Sequence, residues 1–157
     1  MKNIGYYLIV LFVCGSCGVF QPKIFTDEAL DEKLVTLTRD SISFREVLSK
    51  NRGKEIFIQV FASYCPVSQD SFDDVVSFQK KYDEKEYVFL SVDHTYHDWK
   101  RGVERIKPKG QFYYIPKKGK GALGKFLNLK TIPRFLKVDK LGTIKVFKTS
   151  KVSEKLK

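Results

Sequence analysis

Glu55-Ile56-Phe57-Ile58-Gln59-Val60-Phe61-Ala62-Ser63-Tyr64-Cys65-Pro66-Val67-Ser68 is the stretch that decides the fold. Its first eight residues are nearly all apolar or β-forming, as expected of a central strand buried on both faces. Pro66 suits the first turn of a helix, where its missing N–H would have no partner anyway. That helix is expected to run to about Lys81, with Phe72, Val75, Val76 and Phe78 on its apolar face and Asp70, Asp73 and Asp74 in its early turns. Cys65 therefore falls at a strand-to-helix turn, where backbone N–H groups and the helix dipole favour a thiolate.

The flanks extend the pattern. Residues 34–37 and 41–43 read as two short strands around Thr38-Arg39-Asp40. Ser43-Phe44-Arg45-Glu46 is a capping box that should start a helix reaching about Lys50. Residues 87–92 are the next buried strand, and residues 97–106 a helix with Trp99, Val103 and Ile106 at helical spacing. Residues 107–120 are less regular, with 111–115 a candidate short strand. Residues 122–129 fit a short helix that Pro133 cannot extend. Residues 134–138 and 143–147 form a hairpin around Asp139-Lys140-Leu141-Gly142. The order β-β-α-β-α-β-α-α-β-β implies a right-handed β-α-β core with an antiparallel C-terminal hairpin.

At 157 residues the chain is one domain by length, and 43% hydrophobic with 14% aromatic side chains it is globular, not disordered. Its start is separate. Lys2 precedes an apolar run over residues 4–13, too short for the roughly 20 residues that span a bilayer and fitting the core of an export signal. Cleavage after Ser16 would leave Cys17 first, which resembles a bacterial lipoprotein signal in which that cysteine is lipidated. Ordinary secretory cleavage is the alternative, since Cys14-Gly15-Ser16 satisfies the small-x-small rule. The organisation expected is a signal peptide over 1–16, a tether over 17–32 and a folded domain over 33–157. The mature domain then lies outside the cytoplasm, anchored in the bacterial cell envelope if Cys17 is acylated. Cys65 is in that case the only free thiol, and no internal disulfide can form.

The net charge of +11 is unevenly spread. Residues 1–100 carry 12 basic and 15 acidic side chains, and residues 101–157 carry 17 and 3. A partner with an anionic surface is one reading of this asymmetry, and a solvated lysine-rich surface is the other. No nucleic-acid motif accompanies the charge, so nucleic acid is not an expected partner.

Three separated segments together resemble the thioredoxin-like TlpA/ResA group of exported thiol–disulfide oxidoreductases. Residues 55–68 look like that family's strand leading into its W-C-x-x-C turn. Ser91-Val92-Asp93 followed by Trp99 resembles its next strand and helix. Thr131-Ile132-Pro133 through Asp139 and Gly142 resembles its I-P-x-x-x-x-x-D-x-x-G hairpin. The resemblance covers about residues 30–150 and implies a thioredoxin-like α/β/α sandwich with an N-terminal β-hairpin. It further implies that Ile132-Pro133 is a cis bond abutting Cys65, and that a substrate docks its extended backbone beside Ile132.

Three departures from that family define the expected chemistry. Ser68 stands where the resolving cysteine would be, Tyr64 replaces the preceding tryptophan, and Gln59 occupies a position where many relatives bury an acid. A dithiol resolves its mixed disulfide internally, whereas a monothiol needs an external thiol for the second step. The resemblance thus implies exchange through Cys65 alone, with Tyr64, Ile132 and Pro133 orienting the substrate. Ser68, one helical turn along from Cys65, is expected to donate a hydrogen bond to its thiolate, which the helix N-terminus also stabilises. Partners would be protein thiols or disulfides, or a low-molecular-weight thiol. The different-class alternative is a non-catalytic binding module using the same groove. Peroxidase chemistry is weaker, since Ala62 stands where a peroxidase-type turn has Thr or Ser. No cofactor is expected. His94 and His97, with Asp93 and Asp98, have metal-ligand types but read better as capping and solvation.

Overall fold

A computed structural model describes residues 21–157. In chain order its elements are α1 (Asp27–Leu30), β1 (Lys33–Val35), β2 (Ser41–Ser43), α2 (Phe44–Lys50), β3 (Ile56–Phe61), α3 (Pro66–Lys81) and β4 (Glu86–Ser91). They continue with α4 (Tyr96–Val103), β5 (Gln111–Tyr114), α5 (Ala122–Phe126), β6 (Arg134–Val138) and β7 (Ile144–Thr149), with short 3-10 turns at Lys118–Lys120 and Glu154–Leu156. The strands form one sheet in the order β2-β1-β5-β4-β3-β6-β7. β3 pairs parallel with β4 and β4 with β5, while β6 runs antiparallel to β3 and β7 to β6. The fold is the expected thioredoxin-like sandwich with its N-terminal hairpin β1–β2.

Alternation along the strands sorts the core into two chemistries. Ile56, Ile58 and Val60 of β3, with Val88 and Leu90 of β4, face an aliphatic core closed by Phe44, Val47, Leu123 and Leu127. Phe57 and Phe61, with Phe89 and Phe135, face an aromatic core closed by Phe72, Val75 and Phe78 of α3 and Trp99 of α4. Each such side chain contributes about 1.5–3 kcal/mol by leaving water, which fixes α3 and α4 on one face. Gln59 shares the aromatic side of the sheet and is fully buried there, beneath α3.

The capping box is present in full: Ser43 Oγ accepts from the Glu46 N–H, and Glu46 accepts from the Ser43 N–H at 2.7 Å. The hairpin joining β6 to β7 is set by Asp139, whose Oδ1 accepts from the N–H groups of Leu141 and Thr143. Gly142 takes the positive φ of 86° that this turn needs.

Several boundaries differ from those expected. The candidate strand at 111–115 is an interior strand between β4 and β1, with Phe112 stacked on Phe89 and Tyr114 on Trp99. α4 starts one residue earlier than residue 97 because Thr95 caps it, and ends at Val103. The first turn of α3 carries no acid; the aspartates begin beyond it. The larger correction concerns the tether over 17–32. Phe25 and Ala29 are buried in the aliphatic core, with Phe25 edge-on to Phe44 at 5.0 Å, and the Ile144 N–H donates to the Lys23 carbonyl. The folded domain therefore begins by Lys23, not at residue 33. The expected signal over 1–16, and Cys14 and Cys17, lie outside the described residues.

Candidate functional site

β3 ends fully buried at Phe61 and Ala62, and the chain then turns sharply, the Cys65 N–H donating to the Ala62 carbonyl at 3.1 Å. Cys65 is the N-cap of the 16-residue helix α3, with Pro66 in its first turn. It is half-buried and is the only cysteine among the described residues. Its sulfur makes no capping hydrogen bond to the first turn of the helix.

The turn carrying Tyr64 and Cys65 is clamped from three elements. Asp93, fully buried just past β4, accepts from the Ser63 N–H through both oxygens (3.0 and 3.1 Å), from Ser63 Oγ at 2.7 Å and from Ser91 Oγ at 2.6 Å. Gln69 on α3 donates to the Ser63 carbonyl at 2.6 Å. α4 closes the third side at Gly102, where a Cβ would come within 2.3 Å of Ser63 Cβ. A carboxylate without a cation beside it is tolerable in the interior because its donors satisfy it. Sequence reasoning missed this clamp. Asp93 is visible in the sequence as the end of the Ser91-Val92-Asp93 segment and as a possible ligand type, but nothing there ties it to Ser63. The one available signal for Gly102 is a glycine inside a helix, which costs about 1 kcal/mol relative to alanine unless packing requires it.

Ser68 lies one turn along α3 and is fully buried, yet its hydroxyl has no hydrogen-bond partner, the Cys65 thiol included. The expected Ser68–Cys65 hydrogen bond is therefore not formed. Behind it, Gln59 Nε2 donates to Ser71 Oγ at 2.9 Å and Ser71 Oγ donates to the Ser68 carbonyl at 2.7 Å, while Gln59 Oε1 is unpaired.

Tyr64 is 52% exposed and stacks on His94 with centroids 4.3 Å apart. Two grooves meet at it. One, of about 770 Å³, runs between α3 and α4 and includes Asp73, Asp98 and Arg101. The Thr95 hydroxyl, and after it the Arg101 guanidinium, hold the Asp98 carboxyl below the usual aspartate range. The other, of about 260 Å³, is lined by Tyr64, Val92, Lys118, Lys130, Thr131 and Ile132. The Ile132–Pro133 peptide bond is cis. Arg134 fastens the preceding loop, donating to the carbonyls of Thr131 and Asn128 and to Thr131 Oγ1 at 3.1–3.2 Å. The structure thus brings Tyr64 and Ile132 to one groove, whose lining reaches Tyr64, the residue before Cys65, but does not include Cys65 or Pro133. Asp93, His94 and Asp98 are engaged by Ser63 and Ser91, by Tyr64, and by Thr95 and Arg101 respectively.

Residues 53–144 match the thioredoxin-like family, a span that contains Cys65, Ser68, Ile132 and Pro133. No match was found among curated proteins. Among solved structures, the chain is similar to the thioredoxin domain of a thiol-disulfide oxidoreductase from Bacteroides vulgatus. The identity is 18% and the TM-score 0.65, over 79% of this chain and 86% of that one. A secreted disulfide oxidoreductase of Mycobacterium tuberculosis matches at 14% identity and TM-score 0.62, over 83% and 92%. An exposed lipoprotein thioredoxin of Streptococcus pneumoniae matches at 19% and 0.59, over 78% and 90%. At these identities the likeness is one of fold.

Proposed function

Because this chain belongs to the thioredoxin-like family, we propose that it performs thiol–disulfide exchange through Cys65 as a single reactive thiol. The observation that carries the reading is the position of Cys65: half-buried at the N-cap of a long helix, next to Tyr64, whose groove Ile132 shares. In the first step the Cys65 thiolate attacks one sulfur of a substrate disulfide. The Cys65–substrate bond forms, the substrate S–S bond breaks, and the departing thiolate takes a proton. In the second step an external protein thiol or low-molecular-weight thiol attacks the mixed disulfide and returns Cys65 to its thiolate. Ser68 has no sulfur to replace that external thiol.

The resemblance to the exported TlpA/ResA group supports reading Ser68 as a replaced resolving cysteine. It also supports Tyr64, Ile132 and Pro133 as substrate-orienting residues. Ile132 contributes neither its N–H nor its carbonyl to any hydrogen bond among the described residues, which suits pairing with an extended substrate. Export, with Cys17 as a lipid anchor, rests on the sequence of residues 1–17. The secreted and lipoprotein descriptions of two fold neighbours agree with it.

The test uses protein carrying Cys14→Ser and Cys17→Ser, so that Cys65 is the single thiol. Incubation with glutathione disulfide should add one glutathione by intact mass, reduced thiol should remove it, and Cys65→Ser should abolish it. A folded protein that stays unmodified while its urea-unfolded form is labelled would leave the non-catalytic binding module as the correct function.

A further inference from the structure

Part of the chain's charge asymmetry falls at one of the two grooves that meet at Tyr64, where Lys118 and Lys130 are the lining charges. Residues 105–138 carry ten basic side chains and no acidic one. Five of the lysines, Lys117, Lys118, Lys120, Lys125 and Lys130, belong to the segment that builds the groove beside Ile132. None of the five is paired with a carboxylate among the described residues. Lys118 and Lys130 line the groove itself. Lys118 does so with a φ of 49°, a left-handed conformation that favours glycine or asparagine over lysine. Its ammonium donates to the His94 carbonyl at 2.8 Å, which positions it without cancelling its charge.

The groove on the other side of Tyr64 is different. There Asp73 pairs with Lys107 at 3.1 Å and Asp98 with Arg101 at 2.7 Å, and with Arg105 and Asp93 also in the lining its cations and carboxylates are equal in number. A substrate laid across Tyr64 and Cys65 therefore meets neutralised charge on the α3–α4 side and unneutralised positive charge on the Ile132 side.

We infer that the Ile132 groove selects substrates whose extended segment carries aspartate or glutamate beside the reacting cysteine, with Lys118 and Lys130 as the residues that read them. The inference rests on the exchange reading and deepens it by naming the substrate class. A peptide is favoured over an anionic membrane surface because the two lysines flank a recessed groove with a free backbone at Ile132, which suits an extended chain.

The experiment compares cysteine peptides of one length with acidic, neutral or basic flanks, each activated as a mixed disulfide with 2-thiopyridine. Attack by Cys65 on the peptide sulfur forms the Cys65–peptide disulfide and breaks the pyridyl bond. The electron pair and a proton leave on 2-thiopyridone, which is read by absorbance. The acidic peptide should react roughly tenfold faster than the basic one at low salt, and the ratio should shrink as salt screens the pairs. Lys118→Asn, a residue at ease with positive φ, combined with Lys130→Glu should bring the ratio to about one. Lys140→Glu with Lys151→Glu, elsewhere on the basic half, should leave the ratio near tenfold.

Equal rates for all three peptides would overturn the inference, and so would a preference that both charge variants reduce alike. A third overturning result is that Lys118→Asn/Lys130→Glu weakens binding to phosphatidylglycerol vesicles while the peptide ratio stands. Two controls separate this from the exchange reading. Uncharged 2,2′-dipyridyl disulfide reports whether Cys65 reacts at all. Fluorescence anisotropy with Cys65→Ser and serine-for-cysteine peptides reads the groove when no reaction occurs: acidic above basic upholds the inference, equal binding overturns it.

Discussion

Gly102→Ala is the sharpest probe of how the reactive turn is held, because two effects of opposite sign compete at one atom. In an ordinary helix interior, replacing glycine by alanine stabilises by about 1 kcal/mol. Here the new Cβ would lie 2.3 Å from Ser63 Cβ and Oγ. The hydroxyl could rotate away, but the Cβ is fixed to a backbone whose N–H is tied to Asp93. Forcing a methyl into so tight a contact costs typically 1–3 kcal/mol, and at this separation the upper half of that range applies. The net expectation is a loss of about 1.5 kcal/mol, or roughly 5 °C in midpoint for a domain of this size. Urea unfolding of Gly102→Ala, Ser63→Gly and the double variant forms a thermodynamic cycle. Since Ser63→Gly deletes the clashing atoms, the pair should show a coupling of at least about 1 kcal/mol. A stabilised Gly102→Ala, or additive single effects, would refute the reasoning that α4 bears directly on the turn before Cys65.

Three further outcomes follow from the same geometry. Asp93→Asn should cost about 3 kcal/mol in urea unfolding, because a single amide oxygen cannot serve the Ser63 N–H and two serine hydroxyls, leaving at least one buried donor stranded; a loss under about 1 kcal/mol would count against the clamp. Ser68→Ala should stabilise by about 1 kcal/mol, since it removes a buried hydroxyl that has no partner, and a destabilised variant would show that the hydroxyl is satisfied in solution. Glu55 lies below the ordinary glutamate value of 4.5: burial raises it, but hydrogen bonds from Lys85 and then Lys137 outweigh that. With its folded value depressed, its contribution is present above about pH 4.5 and lost as pH falls through the lower folded value, so stability measured from pH 6 down to 3 should fall less steeply in Glu55→Gln.

Much of the fold was legible because its signals are local. The run over residues 55–62 buries both faces, Ser43 and Glu46 satisfy each other three residues apart, and Asp139 to Gly142 close a turn on themselves. What escaped depends on partners distant in sequence. Phe25 sits in a segment too short to show a period, and its burial comes from Phe44 and Phe126. The strand at Gln111–Tyr114 is settled by its parallel register with Val88–Ser91. The candidate cysteine was readable from the strand–turn–helix transition, but Asp93 and Gly102 serve the site only because the fold carries them to Ser63. The Ser68 hydrogen bond was expected from helical spacing, whereas burial gives the hydroxyl no partner at all.

The central claim is that Cys65 exchanges disulfides without an internal resolver, and the most direct measurement is what is bonded to it in living cells. Cells expressing the protein or Ser68→Cys would be quenched in acid, their free thiols alkylated, and Cys65 peptides identified by mass spectrometry. The wild-type protein should carry Cys65 in mixed disulfides with other thiols. In Ser68→Cys those adducts should give way to an internal disulfide between Cys65 and the introduced thiol. Recovery of Cys65 fully alkylated, with no adducts in either protein, would contradict the account.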